Sequence, residues 1–193
     1  MFSFPLYERL KAETPEFEEV TAFQAGRGRL SVRRQGIESA ARPLRSEYVT
    51  GNYFSTLGVR ALGGRVFTPD DDKPSATPVA VLSHRIWQTT YAADPSIVGA
   101  TFVVEGHPLT VIGVAPPGFF GETLESDPPD IWVPVQQEPL DINARPVTPF
   151  AASHGFGQIF QELLQATIQS FQGLRCHALT VANTPVAFKR NLT

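Results

Sequence analysis

The chain has 193 residues, with 16 Lys and Arg against 19 Asp and Glu, four His, one Cys and a net charge of −3. That length suits one ordinary domain or two small lobes; 42% hydrophobic residues exclude broad disorder, and the slightly acidic balance lacks the basic face of a nucleic-acid binder. Cys176 alone excludes an intrachain disulfide framework or a cysteine zinc cluster, no apolar run approaches the roughly 20 residues of a membrane span, and no signal-peptide core follows Met1.

In chain order, Phe4 to Lys11 predicts a short amphipathic helix, with Pro5 in its first turn and Leu6 and Leu10 one helical repeat apart. Pro15 interrupts it, and Phe17-Glu18-Glu19-Val20 reads as a second short helical patch leading into Ala22-Phe23. Arg29 to Arg33 suits one arm of a hairpin with a turn near Gln35-Gly36, and Arg42 to Val49 a strand. Asn52 offers an N-cap for a helix over Tyr53 to Leu57, closed by Gly58. Gly63-Gly64 and Thr68-Pro69-Asp70-Asp71-Asp72 read as turns or loops.

Val79 to Leu82 is a short strand too uniformly apolar to be half-exposed. Ser83 caps a helix bearing Ile86, Trp87 and Tyr91 on one side, and Asp94-Pro95 starts a further piece that Gly99 ends. Thr101–Val104 and Leu109–Ile112 form the clearest hairpin, with Glu105 to Pro108 as a four-residue connection and both faces expected to be covered. Ala115-Pro116-Pro117-Gly118 ends the second arm, and Asp130 to Pro134 is extended. Past Pro149 the character changes. Residues 151–193 carry one acid and three bases, +2 against −5 for residues 1–150, with an amphipathic helix over 157–173 followed by a weakly patterned, frayed end.

Candidate chemistry is sparse. Asp70-Asp71-Asp72 could offer carboxylate oxygens to calcium, but it lacks the alternate spacing and central glycine of a ligand loop and reads as a solvated acidic turn. His84, His107, His154 and His177 form no i, i+4 pair, and adjacent Cys176 and His177 would point apart rather than act as nucleophile and base. There is no G-x-S-x-G elbow, and Gly26-Arg27-Gly28-Arg29 lacks the ending of a phosphate loop. Arg27, Arg29, Arg33 and Arg34 could touch anionic headgroups, but they read as a solvated hairpin. Asn191-Leu192-Thr193 matches a glycosylation acceptor and is discounted without a secretory signal.

Val49-Thr50-Gly51-Asn52-Tyr53-Phe54-Ser55-Thr56-Leu57-Gly58-Val59 resembles the V-S-G-x-Y-F-x-x-L-G-V signature of the MacB-like periplasmic core domain of MacB/FtsX-class ABC transporter permeases. Gly64-Arg65-Val66-Phe67-Thr68-Pro69-Asp70-Asp71-Asp72 resembles that family's G-R-x-F-x-x-x-D-D. Pro78 to Ser83, Trp87, Asp94 to Gly99, Glu105 to Val114, Pro117 to Gly121 and Asp130 to Pro134 continue in the family's order. Phe2 to Tyr7 is similar to the segment after the first transmembrane helix of the long, Acidobacteria-type permeases of this class.

The resemblance implies an α+β fold: a mixed sheet with short helices and a β-hairpin, incomplete relative to the family. It spans residues 1–149, followed by an unmatched tail, 150–193. It also implies a non-enzymatic periplasmic domain on the bacterial inner membrane that transmits conformational change and contacts substrate or periplasmic partners. The implied partners are the transmembrane helices of the parent permease, a separate ATPase subunit or domain and a periplasmic adaptor. No cofactor, catalytic residue, metal or nucleic acid is expected. The motif residues Gly51, Tyr53, Phe54, Gly58, Gly64, Arg65, Trp87, Gly99 and Gly113 are assigned to the fold. Missing transmembrane segments and an absent L-K-P-G-V turn lead to the expectation of a fragment, truncated or frame-shifted. Two alternatives stand beside this reading. One is a small binding module with its ligand between the 101–112 hairpin and helix 84–92, lined by Trp87 and Phe102; the other is a cation-dependent hydrolase centred on Asp70–Asp72.

Overall fold

The structure, a computed structural model, describes residues 7–8, 11–12, 17–24, 28–38, 40–121, 127–140, 176–181 and 184–190. Residues 7–8 and 11–12 are helical, as the opening pattern predicts. Strands β1 (Phe17–Ala22), β2 (Gly28–Arg34) and β3 (Arg42–Val49) precede the one-turn helix α1 (Tyr53–Thr56) and the two-residue strand β4 (Gly63–Gly64). A 3-10 turn at Pro69–Asp71 leads to β5 (Val79–Leu82), helix α2 (His84–Tyr91) and a second 3-10 turn at Pro95–Ile97. Then come β6 (Thr101–Val104), β7 (His107–Val114), β8 (Ile131–Pro134), a 3-10 segment at Val135–Leu140, β9 (Cys176–Val181) and β10 (Thr184–Arg190).

The sheet is mixed, and it closes on itself. β2, β3, β8, β5, β7 and β6 pair in that order, β6 returns to β2, and β4 adds to the edge of β7. The β3–β8 and β5–β7 contacts are parallel and the remaining ring contacts antiparallel. Closure satisfies backbone groups that an open sheet leaves at its edges.

Strand periodicity fills the ring. Successive side chains face opposite sides. Ile131 and Val133 of β8 and Ala80 and Leu82 of β5 join the inner cluster, while Trp132, Val79 and Val81 join a second cluster outside. This double burial explains why β5 is apolar at every position. On the β6–β7 hairpin, Phe102, Val104, Leu109 and Val111 are buried, but Thr101, Val103, Thr110 and Ile112 are only half-buried, so the outer face is less covered than expected. Its connection is also tighter. Val104 pairs with His107, leaving a two-residue turn in which Glu105 (φ 49°) and Gly106 (φ 88°) both take the left-handed conformation of a type I′ hairpin.

Helix ends follow their caps in two of three cases. The Ser83 hydroxyl accepts from the Ile86 amide at 3.2 Å, and Asp94 accepts from Ser96 at 2.8 Å ahead of Pro95. Asn52 does not cap α1. Its side-chain amide donates instead to the Val20 carbonyl at 2.9 Å, tying α1 to β1. Gly63-Gly64 is not a free loop, because it pairs with Gly113 and Val114.

Two expectations at the chain ends are corrected. Phe17 to Val20 is strand, not helix, and β9 and β10 pair as antiparallel strands in place of the expected frayed end. The reason is shared. β10 pairs with β1 from Phe17↔Arg190 to Ala22↔Val186, giving a three-stranded sheet β1–β10–β9 from the two ends of the sequence. Long-range pairing overrides weak local preference. The sheet joins the ring where the Thr50 amide donates to Ala22 at 2.9 Å and Phe23 bridges to Val49. The expected helix over 157–173 and residues 25–27 lie outside the described residues.

Candidate functional site

The two longest motifs meet on the outside of the ring. Tyr53 and Phe54 of α1 are fully buried there with Phe67 and Trp132, and Phe119 lies against them. The Phe54 ring is 5.2 Å from Tyr53, 5.5 Å from Phe67, 5.7 Å from Phe119 and 5.6 Å from Trp132, mostly in the edge-on or tilted geometry that aromatic quadrupoles favour. Trp132 Nε1 donates to the buried Glu47 carboxylate at 2.9 Å, so the outward side chains of β3 and β8 are tied beneath the cluster.

Glycines let the backbone cross closely at this face. A Cβ on Gly51 would stand 2.5 Å from the Thr68 carbonyl oxygen and 2.9 Å from Pro69 Cα. Gly64 lies opposite Gly113 in the β4–β7 pair. A side chain on Gly113 would run into the Arg65 carbonyl, and one on Gly64 (φ +69°) into that of Ile112. Gly58 closes α1, whereas Trp87 and Gly99 sit apart, around α2. Trp87 Nε1 donates to the Asp94 carbonyl at 2.9 Å, fastening α2 to the turn after it, and the Gly99 amide donates to Val111 at 2.8 Å.

The acidic run is largely internal, which corrects its reading as a solvated turn. Only Asp70 is fully exposed, paired with Lys73 at 2.6 Å. Asp71 accepts from Arg65 Nη1 at 2.6 Å and Nη2 at 2.8 Å, and from the Thr68 amide and hydroxyl at 2.8 and 2.9 Å. The bond from Arg65 leads the causes that hold its carboxyl below the ordinary aspartate range, and Thr68 adds to it. Asp72 accepts from the Gly51 amide at 3.0 Å and the Gln136 amide at 2.9 Å. Burial nevertheless pushes its carboxyl upward, with Glu8 adding to the rise.

Thr50 is a second junction. Its hydroxyl accepts from the Ala22 amide at 3.1 Å, lies 2.6 Å from the Thr21 hydroxyl and donates to Asn52 Oδ1 at 3.0 Å. The Tyr7 phenol is buried as well. Burial leads the causes that push this phenol up to about 12, so Tyr7 holds its proton at every physiological pH.

The arrangement is suited to holding segments together. The Asp71 and Asp72 oxygens that a cation would need already accept protein donors, and among the described residues no group of three His, Cys, Asp or Glu could hold a metal ion. Asp130, between Arg45 and Arg85, also accepts from the Arg45 amide at 3.0 Å. Phe102 has no exposed surface, and Tyr91 of α2 lies 5.4 Å from its ring, so it cannot line a ligand pocket between hairpin and helix. Of the arginines in the β2 segment, Arg34 is paired with Asp94 at 2.7 Å, while Arg29 and Arg33 are exposed. Thr50, Glu47 and Gln136 were not singled out in the sequence. Thr50 stands inside the first motif, but nothing local marks Glu47 or Gln136.

Solved structures of transporter domains share this fold. The extracellular domain of the noncanonic ABC-type transporter YknZ from Gram-positive bacteria aligns at TM-score 0.55 and 14% identity, covering 99% of this chain and 74% of that one. The periplasmic region of MacB from Actinobacillus actinomycetemcomitans aligns at 0.58 and 16%, covering 86% and 74%. A domain of a putative permease protein from Porphyromonas gingivalis aligns at 0.51 and 10%, covering 97% and 62%. A comparison with curated proteins found no match. The family model of the MacB-like periplasmic core domain matches residues 1–164, and the chain belongs to that family. It is thus a periplasmic domain of the MacB-like permease type, and no helix among the described residues is long and apolar enough to cross a membrane.

Proposed function

We propose that this chain is a non-catalytic module of an ABC transporter permease. It passes conformational change between membrane helices and a transported substrate or periplasmic adaptor, while a separate ATPase hydrolyses ATP. The observation that carries this reading is how the motif side chains are used. Tyr53, Phe54, Arg65 and Phe67 are spent on packing and ion pairing between segments, not on an open cleft. A rigid ring with such fastenings transmits displacement as a body, since a close-packed core has little compressibility. Gly51, Tyr53, Phe54, Gly58, Gly64, Arg65, Trp87, Gly99 and Gly113 serve the fold in this reading.

Two measurements test it. Purified chain titrated with magnesium ATP is expected to keep its melting temperature, and a saturable rise would overturn the non-catalytic assignment. When the permease carrying this domain is reconstituted with its ATPase, deleting the domain is expected to spare basal hydrolysis and abolish stimulation by substrate. Retained stimulation would overturn the transmitting role.

A further inference from the structure

β1 is fixed to the ring by bonds in which β10 has no part. The Ala22 amide donates to the Thr50 hydroxyl at 3.1 Å, and the Ala22 carbonyl accepts from the Thr50 amide at 2.9 Å. The Val20 carbonyl accepts from the Asn52 side chain at 2.9 Å, and just past the strand Phe23 and Gln24 are tied to Val49 and Tyr48. Val20 and Ala22 are buried in the inner cluster. Peptide groups alternate in direction along a strand, so once those of Val20 and Ala22 face the ring, those of Glu19 and Thr21 face away from it. β1 therefore presents a short row of donors and acceptors whose direction and register are set by the body of the fold alone.

β10 fills that row. Glu19 stands opposite Lys189 and Thr21 opposite Ala187 in an antiparallel ladder. The ladder ends at Val186, opposite Ala22, and the residue before it, Pro185, has no N–H to donate. On its other side β10 pairs with β9 from Thr184↔Val181 to Lys189↔Cys176. Among the described residues these two strands are held to the ring through the β1 ladder, with α1 alongside. Residues 141–175, 35 in number, lie between Leu140 and Cys176. Extended, they reach roughly 115 Å, farther than a domain of this size is wide.

A strand added to a preformed edge through backbone bonds can come from the same chain or from another chain with the same strand. The bonds formed are identical, and only the path of the connecting residues differs. We propose that the edge of β1 facing β10 is a strand-acceptor site whose second occupant is the β10 of another copy of this chain, exchanged reciprocally with β9 carried along. The occupant is a second copy because β1 and β10 already match in register and because 35 residues suffice to cross between copies. The ring of each copy stays intact, and the exchange stands independently of the transport reading. Tethering keeps the chain's own β10 at a high effective concentration, so the exchanged dimer grows with protein concentration.

Single-cysteine variants test this. In a Cys176→Ser background, Glu19→Cys and Lys189→Cys chains are mixed, unfolded and refolded together at high concentration under oxidising conditions. Opposed residues of an antiparallel ladder lie within disulfide reach, about 4.5–5.5 Å between Cα atoms. Exchange is expected to give a disulfide-linked heterodimer on a non-reducing gel. An out-of-register mixture, Glu19→Cys with Thr184→Cys, is displaced by roughly 16 Å along β10 and should give at least about tenfold less. The double variant Glu19→Cys/Lys189→Cys, oxidised when dilute, should instead close within one chain. Equal heterodimer from both mixtures is random collision and overturns the proposal, as does no heterodimer from either. A dilute double variant that does not close removes the β1–β10 register and the proposal with it. Should Glu19→Cys not fold, Phe17→Cys with Arg190→Cys repeats the test at the neighbouring paired position.

Discussion

The inside of the ring and the outer face beneath α1 are both buried, yet they are built by different means. Inside, aliphatic side chains such as Leu30, Val32, Leu82, Val111 and Val133 predominate, each supplied by the two-residue period of its strand. Outside, Tyr53, Phe54, Phe67, Phe119 and Trp132 gather from four separate motifs over a backbone crossing that only glycine allows. The interior needs apolar volume in alternation, which many sequences satisfy. The exterior needs particular residues at particular crossings. Motif identity therefore concentrates on the outer face, and the inner one is written in pattern alone.

Breaking the aromatic cluster tests this contrast most severely. Phe54→Ala is expected to cost about 3–5 kcal/mol, because the side chain is fully buried against four rings. Chemical denaturation measures it, with Leu82→Met as the interior counterpart, which should cost under about 1.5 kcal/mol because volume is conserved. A larger loss from Leu82→Met would reverse the contrast. Gly113→Ala comes next, at about 1–3 kcal/mol from forced overpacking against the Arg65 carbonyl. An unchanged denaturation midpoint would show that the crossing can open freely.

The smallest expected effect concerns the Arg65–Asp71 clamp and depends on pH. Asp71 titrates below its ordinary value in the folded state. Its stabilisation is therefore complete above the ordinary aspartate range and is lost as pH falls through the lowered folded value. Asp71→Asn should lower the melting temperature at pH 7 by several degrees, on the basis of about 1–2 kcal/mol, and the gap to wild type should close on acidification. A gap independent of pH would separate the clamp from its charge. Asp72 has the opposite sign. Its folded value is raised, so its contribution declines as pH rises from the ordinary aspartate range through that raised value.

Much of the ring was legible because its signals are local. Arg42–Val49, Val79–Leu82 and Thr101–Val104 appear with the expected bounds, since apolar runs between turn residues read the same in isolation and in the fold. The Ser83 cap likewise depends only on the residues that follow it. Phe17 to Val20 was misread because its partner, β10, lies more than 160 residues away in sequence. Asn52 was assigned to cap α1 because it precedes it, whereas in space its Oδ1 accepts from the Thr50 hydroxyl and its amide donates to the Val20 carbonyl. The acids after Thr68 looked solvated because neither Arg65 across the turn nor the Gly51 and Gln136 amides can be seen as their donors in a linear chain.

By itself the sequence determined the strand segments, the turns, the motif order that placed the chain in its family and the lack of a local catalytic motif. Those follow from side-chain period, glycine and proline geometry and residue chemistry, all of which act over a few positions. Only the tertiary structure decided that the mixed sheet closes into a ring, that the distant β10 becomes the partner of β1, and that Thr50 and Asp72 hold segments far apart in sequence. Such contacts depend on which backbone donors and buried surfaces meet after folding, and no window along the chain contains both halves of them.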